Sequence, residues 1–182
     1  MDTFLWRRLD APGHDACRLV QVADGRLLKG MAVYRHEGSP AFLAYTLDFD
    51  NEWRTREGVV RGWVGAKQID FHVVRTSDGV WTLNGLAAAG LDECVDLDLG
   101  FTPATNLSQL RRVALDVGQA VDVPVAWLDV SAGTLDILRQ RYERLGATIY
   151  RYEAPRFDYY AELQVNAGGF VEQYPGLWEM AS

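Results

Sequence analysis

Phe42-Leu43-Ala44-Tyr45-Thr46-Leu47-Asp48-Phe49 decides the reading of this chain. Leu43, Tyr45, Leu47 and Phe49 recur at every second position, which is the period of a β-strand. A helix would scatter the same four side chains around its circumference. The alternate set is Phe42, Ala44, Thr46 and Asp48, and it is itself partly apolar. A strand mixed on both faces suits a curved sheet that packs on one side and lines a pocket on the other. It equally suits a long twisted strand whose two faces are each buried in part.

The same alternation runs outward in both directions. Ala16 to Val22 alternates up to a tight turn at Asp24-Gly25, and Leu27 to Arg35 resumes until Gly38-Ser39-Pro40 breaks it. Beyond Phe49, Asp50-Asn51-Glu52 turns the chain. Trp53 to Val64 then pairs with Lys67 to Thr76 around Gly65. In the second of these, Phe71 and Val73 oppose Asp70, His72 and Val74. Ser77-Asp78-Gly79 is a hairpin signal leading into Val80 to Asn84, and Gly85 to Gly90 reads as a small-residue loop. Cys94, Asp96 and Asp98 share one face of the next strand; Val95, Leu97 and Leu99 share the other. Thr105 is placed to cap a short helix over Thr105 to Arg112.

Pro124 to Val130 reads as a strand. Leu135 to Leu145 carries two periods at once: Leu135, Leu138, Tyr142 and Leu145 recur as on a helix, yet Leu138, Gln140 and Tyr142 alternate. The strand reading, paired with Ala147 to Glu153 through Leu145-Gly146, is preferred. Tyr159 to Val165 and Phe170 to Tyr174 form a last hairpin, which Pro175-Gly176 stops. Roughly ten strands on short turns, with little helix, favour a mainly antiparallel β sandwich, barrel or curved roll. No linker or repeat divides residues 1–182, so a single domain is the simplest organisation.

Bulk properties narrow the function. The net charge is −7 and no basic run occurs, so nucleic acid is not an expected partner. Only Lys29 and Lys67 are lysines. The surplus of arginine over lysine fits either the codon usage of a GC-rich genome or forked recognition of carboxylate and phosphate. The first residues, MDTFLWRRLDAPG, lack the features of a secretory signal, and no apolar run approaches the roughly 20 residues of a spanning helix. A cytoplasmic protein without an integral membrane segment is expected. Cys17 and Cys94 are then expected as buried small hydrophobes rather than a disulfide.

Catalytic and metal motifs are not found. Ser39 lies in Gly-Ser-Pro and not in a nucleophile elbow. His14, His36 and His72 have no ligand spacing, and His36-Glu37 lacks a second helical histidine. Asp48, Asp50 and Glu52 begin like a calcium loop, but Trp53 stands where that loop needs glycine. No metal or other cofactor is expected. What remains is suited to binding. Tyr45, Trp53, Trp63 and Trp81 could stack on a sugar or pack on an acyl chain; Arg54, Arg56, Asp96, Asp98 and Asn106 could hydrogen-bond a head group. The arginine row and the aspartate row could instead be a structural ion-pair network or a solvated face.

Four segments together resemble a known bacterial family. They are Asp50-x-x-Trp53-Arg54-Thr55-Arg56; Cys94-Val95-Asp96-Leu97-Asp98 running into Thr102-Pro103-Ala104-Thr105-Asn106; Arg111-Arg112; and Tyr174-Pro175-Gly176-Leu177-Trp178. The family is the one named "putative glycolipid-binding", formerly a domain of unknown function. The resemblance spans nearly the whole chain, and it implies a spiral β-roll akin to lipoprotein-carrier folds, a half-barrel with one or two short helices. It also implies a small amphiphilic ligand, a glycolipid or acyl chain, in a hydrophobic cavity. Two other readings stay open: an enzyme acting on a glycolipid-related metabolite with Asp96 or Asp98 as acid or base, and an interaction module using exposed sheet edges.

Overall fold

The computed structural model describes residues 2–181. The N-terminal half is a long antiparallel meander. It comprises β1 (Asp2–Arg8), β2 (Gly13–Val22), β3 (Gly25–His36), β4 (Ser39–Phe49), β5 (Thr55–Val64), β6 (Lys67–Arg75), β7 (Trp81–Leu83) and β8 (Leu86–Ala88). Then follow β9 (Asp96–Asp98), helix α1 (Asn106–Val113), β10 (Ala120–Asp122), β11 (Val125–Asp129) and β12 (Thr134–Leu138). A second meander closes the chain: β13 (Arg141–Arg144), β14 (Ile149–Ala154), β15 (Tyr159–Val165), β16 (Val171–Tyr174) and β17 (Trp178–Met180).

Strand β17 pairs antiparallel with β1, with Trp6 opposite Met180 and Arg8 opposite Trp178. This single seam joins the two meanders into one 14-stranded sheet that runs from β10 at one edge to β8 at the other. The sheet does not close into a barrel. β12, β11 and β9 make a separate three-stranded sheet in which β9 and β11 run parallel. The mainly β, spiral-roll reading therefore describes the fold.

The large sheet is two-faced as its sequence demands. Leu43, Tyr45, Leu47 and Phe49 are buried, whereas Phe42, Ala44, Thr46 and Asp48 are half-buried. Around Leu43 to Phe49 the buried face is covered by other side chains. It packs on the small sheet, whose Leu97 reaches β5 where Gly58 leaves room: a Cβ there would lie 2.3 Å from Leu97 Cδ2. Each apolar side chain removed from water in this way contributes about 1.5–3 kcal/mol.

Helix α1 lies between two apolar clusters. Leu107 joins Leu43, Leu97 and Phe170 in the larger one; Leu110 joins Tyr142, Tyr152 and Leu163 in the smaller. Thr102 initiates the segment by accepting from the Ala104 backbone N–H at 3.0 Å ahead of Pro103, and Ala114 ends it in the left-handed region.

Three segments depart from the sequence reading. Residues 2–8 form a strand, because Trp6 is buried and its indole donates to the Val171 carbonyl at 2.7 Å. Leu86–Ala88, read as a loop, pairs with β7 as the edge strand. The ambiguous stretch from Leu135 to Leu145 holds two strands, divided at Arg139-Gln140. β12 belongs to the small sheet and β13 to the large one, where it pairs with β14. The double periodicity of that stretch came from one strand ending and another beginning in a different sheet. Among the described residues the strands number seventeen, where the sequence reading gave roughly ten.

Candidate functional site

A cavity of about 380 Å³ opens between the small sheet, the C-terminal meander and the end of the N-terminal meander. Its floor is the stretch from Asp98 to Thr102 together with Asn106 at the start of α1. Tyr152, Tyr159 and Tyr174 project from β14, β15 and β16, and their ring centroids lie 5.4–6.0 Å apart. Trp127 of β11 packs edge-on against Phe157 at 5.3 Å, under the guanidinium of Arg156 at 4.7 Å. On the opposite wall, Arg8 lies over the rings of Tyr34 and Trp178, 4.6 and 5.4 Å from their centroids. His36 and Ser131 meet at the rim, 2.8 Å apart.

Beneath the floor lies a buried polar network. Asp98 Oδ1 accepts from the Gly100 N–H at 2.7 Å; Oδ2 accepts from Gln140 Nε2 at 3.1 Å and Gln109 Nε2 at 3.3 Å. The Tyr142 hydroxyl donates to Gln109 Oε1 at 2.8 Å and accepts from Asn106 Nδ2 at 2.7 Å. Burial pushes the Asp98 carboxyl above the usual carboxylate range, and the bonds from Gly100, Gln140 and Gln109 pull it back in part. Burial likewise pushes the hydroxyls of Tyr142, Tyr152 and Tyr174 well up, with the nearby Asp98 charge adding to each shift. All three phenols are neutral at physiological pH.

A second buried carboxylate stands behind the wall. Asp15 of β2 is fully buried and receives the Tyr45 hydroxyl at 3.0 Å and the Thr102 hydroxyl. Tyr45 reaches it by leaning across Gly30, its partner on β3, where a Cβ would sit 2.2 Å from the ring. Burial raises the Asp15 pKa to about 7, against the two hydroxyl bonds.

The structure separates the residues that the sequence groups as candidates. Asp98 and Asn106 border the cavity. Asp96 is buried on the same face of β9, held by two bonds from Arg112 to its Oδ2 at 3.0 and 2.6 Å. Tyr45 serves Asp15. Trp81 is in the core, donating to the Cys94 carbonyl at 3.1 Å. Trp63 lies on the outer face against Phe42. Trp53 sits under Arg26 at the end of β4, away from the cavity. Arg54 is exposed beside it, and Arg56 is exposed between Asp48 and the Asp24 carbonyl. The arginine row and the aspartate row do not meet. The cavity's own aromatics come chiefly from the C-terminal half, where their sequence spacing gives no sign of convergence.

The match to the family model described as "Putative glycolipid-binding" extends over residues 3–180. The chain belongs to that family. A crystal structure of a DUF1089 family protein from Pseudomonas aeruginosa is similar, with a TM-score of 0.80 and 29% identity over 91% of each chain. No curated protein matches. In this member of the family, two of the stretches that carry the resemblance meet at the cavity. Asp98, Thr102 and Asn106 come from one; Tyr174, Leu177 and Trp178 come from the other. The Asp50–Arg56 stretch does not reach it. Among the described residues no helix is long and apolar enough to cross a membrane, and no cluster of three or more His, Cys, Asp or Glu could hold a metal.

Proposed function

We propose that the chain binds an amphiphile with its polar head in the cavity above Asp98 and Asn106. The observation that carries this reading is the combination of aromatic walls with a small set of polar groups gathered at the floor. The volume falls in the range of about 300–1,000 Å³ typical of small-molecule sites, which are mostly apolar with a few converging polar groups. Ring faces of Tyr152, Tyr174 and Trp127 offer apolar area at low entropic cost. Apolar tail that enters contributes about 0.8 kcal/mol per methylene.

The acid–base reading has less support from the geometry. Asp96 is occupied by Arg112, and only Asp98 of the pair faces the cavity. Asp96 and Asp98 therefore do not flank one ligand as an acid–base pair would, and Asp129, the other carboxylate of the lining, accepts from the backbone N–H groups of Ser131 and Ala132.

The test uses delipidated protein, a fluorescent fatty-acyl probe, and native mass spectrometry of the protein as purified. Saturable uptake of one probe per chain is expected. The Ala154→Phe variant, which grows into the cavity from β14, is expected to abolish uptake while its thermal unfolding stays cooperative. Undiminished uptake by a folded Ala154→Phe variant would place the ligand elsewhere and refute the reading.

A further inference from the structure

Three aspartates are buried, and each is answered differently. Asp96 has Arg112. Asp15 is sealed behind Thr102 and Tyr45. Asp98 borders the cavity, and no cation lies within ion-pair distance of it among the described residues. Its three partners are neutral N–H donors. They satisfy lone pairs and bring no positive charge. An ionised carboxylate in such a place is costly until a cation joins it.

The surroundings suit a cation. The rings of Tyr34, Phe101, Trp127, Tyr152, Tyr174 and Trp178 border the same space. Aromatic faces carry negative quadrupoles that attract ammonium groups, most strongly where water is excluded. Asn106 gives one N–H of its Nδ2 to the Tyr142 hydroxyl, and its amide oxygen is a further acceptor among the cavity-lining residues. The one arginine of the lining, Arg8, is already neutralised by two bonds to Asp10, at 2.6 and 2.8 Å. The rim imidazole of His36 is engaged by Ser131.

We infer that the cavity selects amphiphiles with a cationic amine head, placing the ammonium against Asp98 inside the aromatic wall. This rests on the cavity-binding reading and sharpens it. A sugar head would use the floor's hydrogen-bonding groups but would leave the carboxylate charge unanswered. An anionic head would oppose that charge.

The experiment compares three amphiphiles of one chain length on the delipidated full chain: dodecyltrimethylammonium, dodecyl maltoside and dodecyl sulfate. Each is titrated below its micelle concentration and followed by calorimetry and by the fluorescence of Trp127 and Trp178. The ammonium is expected to bind one site about tenfold or more tighter than the maltoside, a ratio of about 1.4 kcal/mol. Asp98→Asn is expected to erase that preference, weakening the ammonium about tenfold more than the maltoside. In this variant Gly100 still donates to the remaining oxygen and Gln140 Oε1, which is buried without a partner, can rotate to accept the new N–H, while Gln109 Nε2 loses its acceptor. Should Asp98→Asn fail to fold, Tyr174→Leu removes one ring and is expected to weaken the ammonium several-fold more than the maltoside. Maltoside or sulfate binding as tightly as the ammonium overturns the inference and leaves the cavity reading standing. So does a folded Asp98→Asn variant that keeps the preference. Failure of all three amphiphiles to bind overturns both.

Discussion

Replacing Asp15 by asparagine is expected to make the protein more stable at neutral pH, although it removes a fully hydrogen-bonded buried group. Asp15 has no cationic partner among the described residues, only the hydroxyls of Tyr45 and Thr102. Its pKa rises from 3.8 to about 7 on folding, and burial is the largest cause. The native state thus holds its proton over a pH range where the unfolded chain has released it. The stabilisation is complete below about pH 4, declines as pH rises, and is gone above about pH 7. At about 1.36 kcal/mol per unit, the shift corresponds to a loss of about 4 kcal/mol across that window. The amide of Asp15→Asn carries no charge, so it does not titrate. Its imperfect match to two hydroxyl donors costs about 1 kcal/mol. The variant is therefore expected to be about 1 kcal/mol less stable than the parent below about pH 3, about equal to it near pH 4.5, and about 3 kcal/mol more stable at pH 8. Urea unfolding of both proteins at half-unit steps of pH reads this directly. The difference between them cancels the other carboxylates, including Asp96 and Asp98, which shift in the same direction, and Asp10, which Arg8 shifts the opposite way. A difference that stays flat with pH, or that favours the parent at pH 8, would refute the reasoning.

Other substitutions probe the remaining supports. Gly30→Ala forces a Cβ into the Tyr45 ring, and is expected to cost about 1–3 kcal/mol in urea unfolding and to move the Asp15 titration. Arg112→Met strands the Asp96 carboxylate, whose Oδ1 already lacks a partner, and is expected to lose about 3–5 kcal/mol. Tyr142→Phe breaks the link from Asn106 to Gln109; a loss of about 1–3 kcal/mol is expected, visible as a lowered melting temperature. Cys17 and Cys94 are buried and free, and burial pushes both thiols up, that of Cys94 to about 12. A chromogenic disulfide reagent at pH 8 is expected to leave the native protein unlabelled and to label both after urea.

The strands were legible where one face is buried and the other is wet. Leu43 to Phe49 and Ile69 to Val73 follow the period of two, and their turns carry Asp-Gly or Gly signals. Legibility failed where the environment is not two-sided. All three residues of β9 are buried, so Asp96, Leu97 and Asp98 read as alternating while the strand runs through the interior. Asp98 and Asn106 were recognisable as polar residues in an apolar stretch, and both reach the cavity. The tryptophans were not sortable by sequence. Trp63 and Trp81 sit on similar strands, yet one faces outward and the other fills the core. The tyrosine cluster escaped notice because Tyr152, Tyr159 and Tyr174 lie on three different strands. Only the antiparallel pairing of β14, β15 and β16 brings them together.

The seam between β1 and β17 has a consequence for the order of events during synthesis. Strand β1 leaves the ribosome before every strand that lies between it and its partner β17. Until β17 follows, β1 offers an unpaired edge, and the concave side of the nascent meander waits for the middle of the chain to cover it. Pairings this distant in sequence are slow to form. The interval between translating β1 and β17 is thus a window of vulnerability to aggregation. A slower tempo of translation would lengthen it, whereas lower temperature would weaken the hydrophobic attraction that drives nascent chains together.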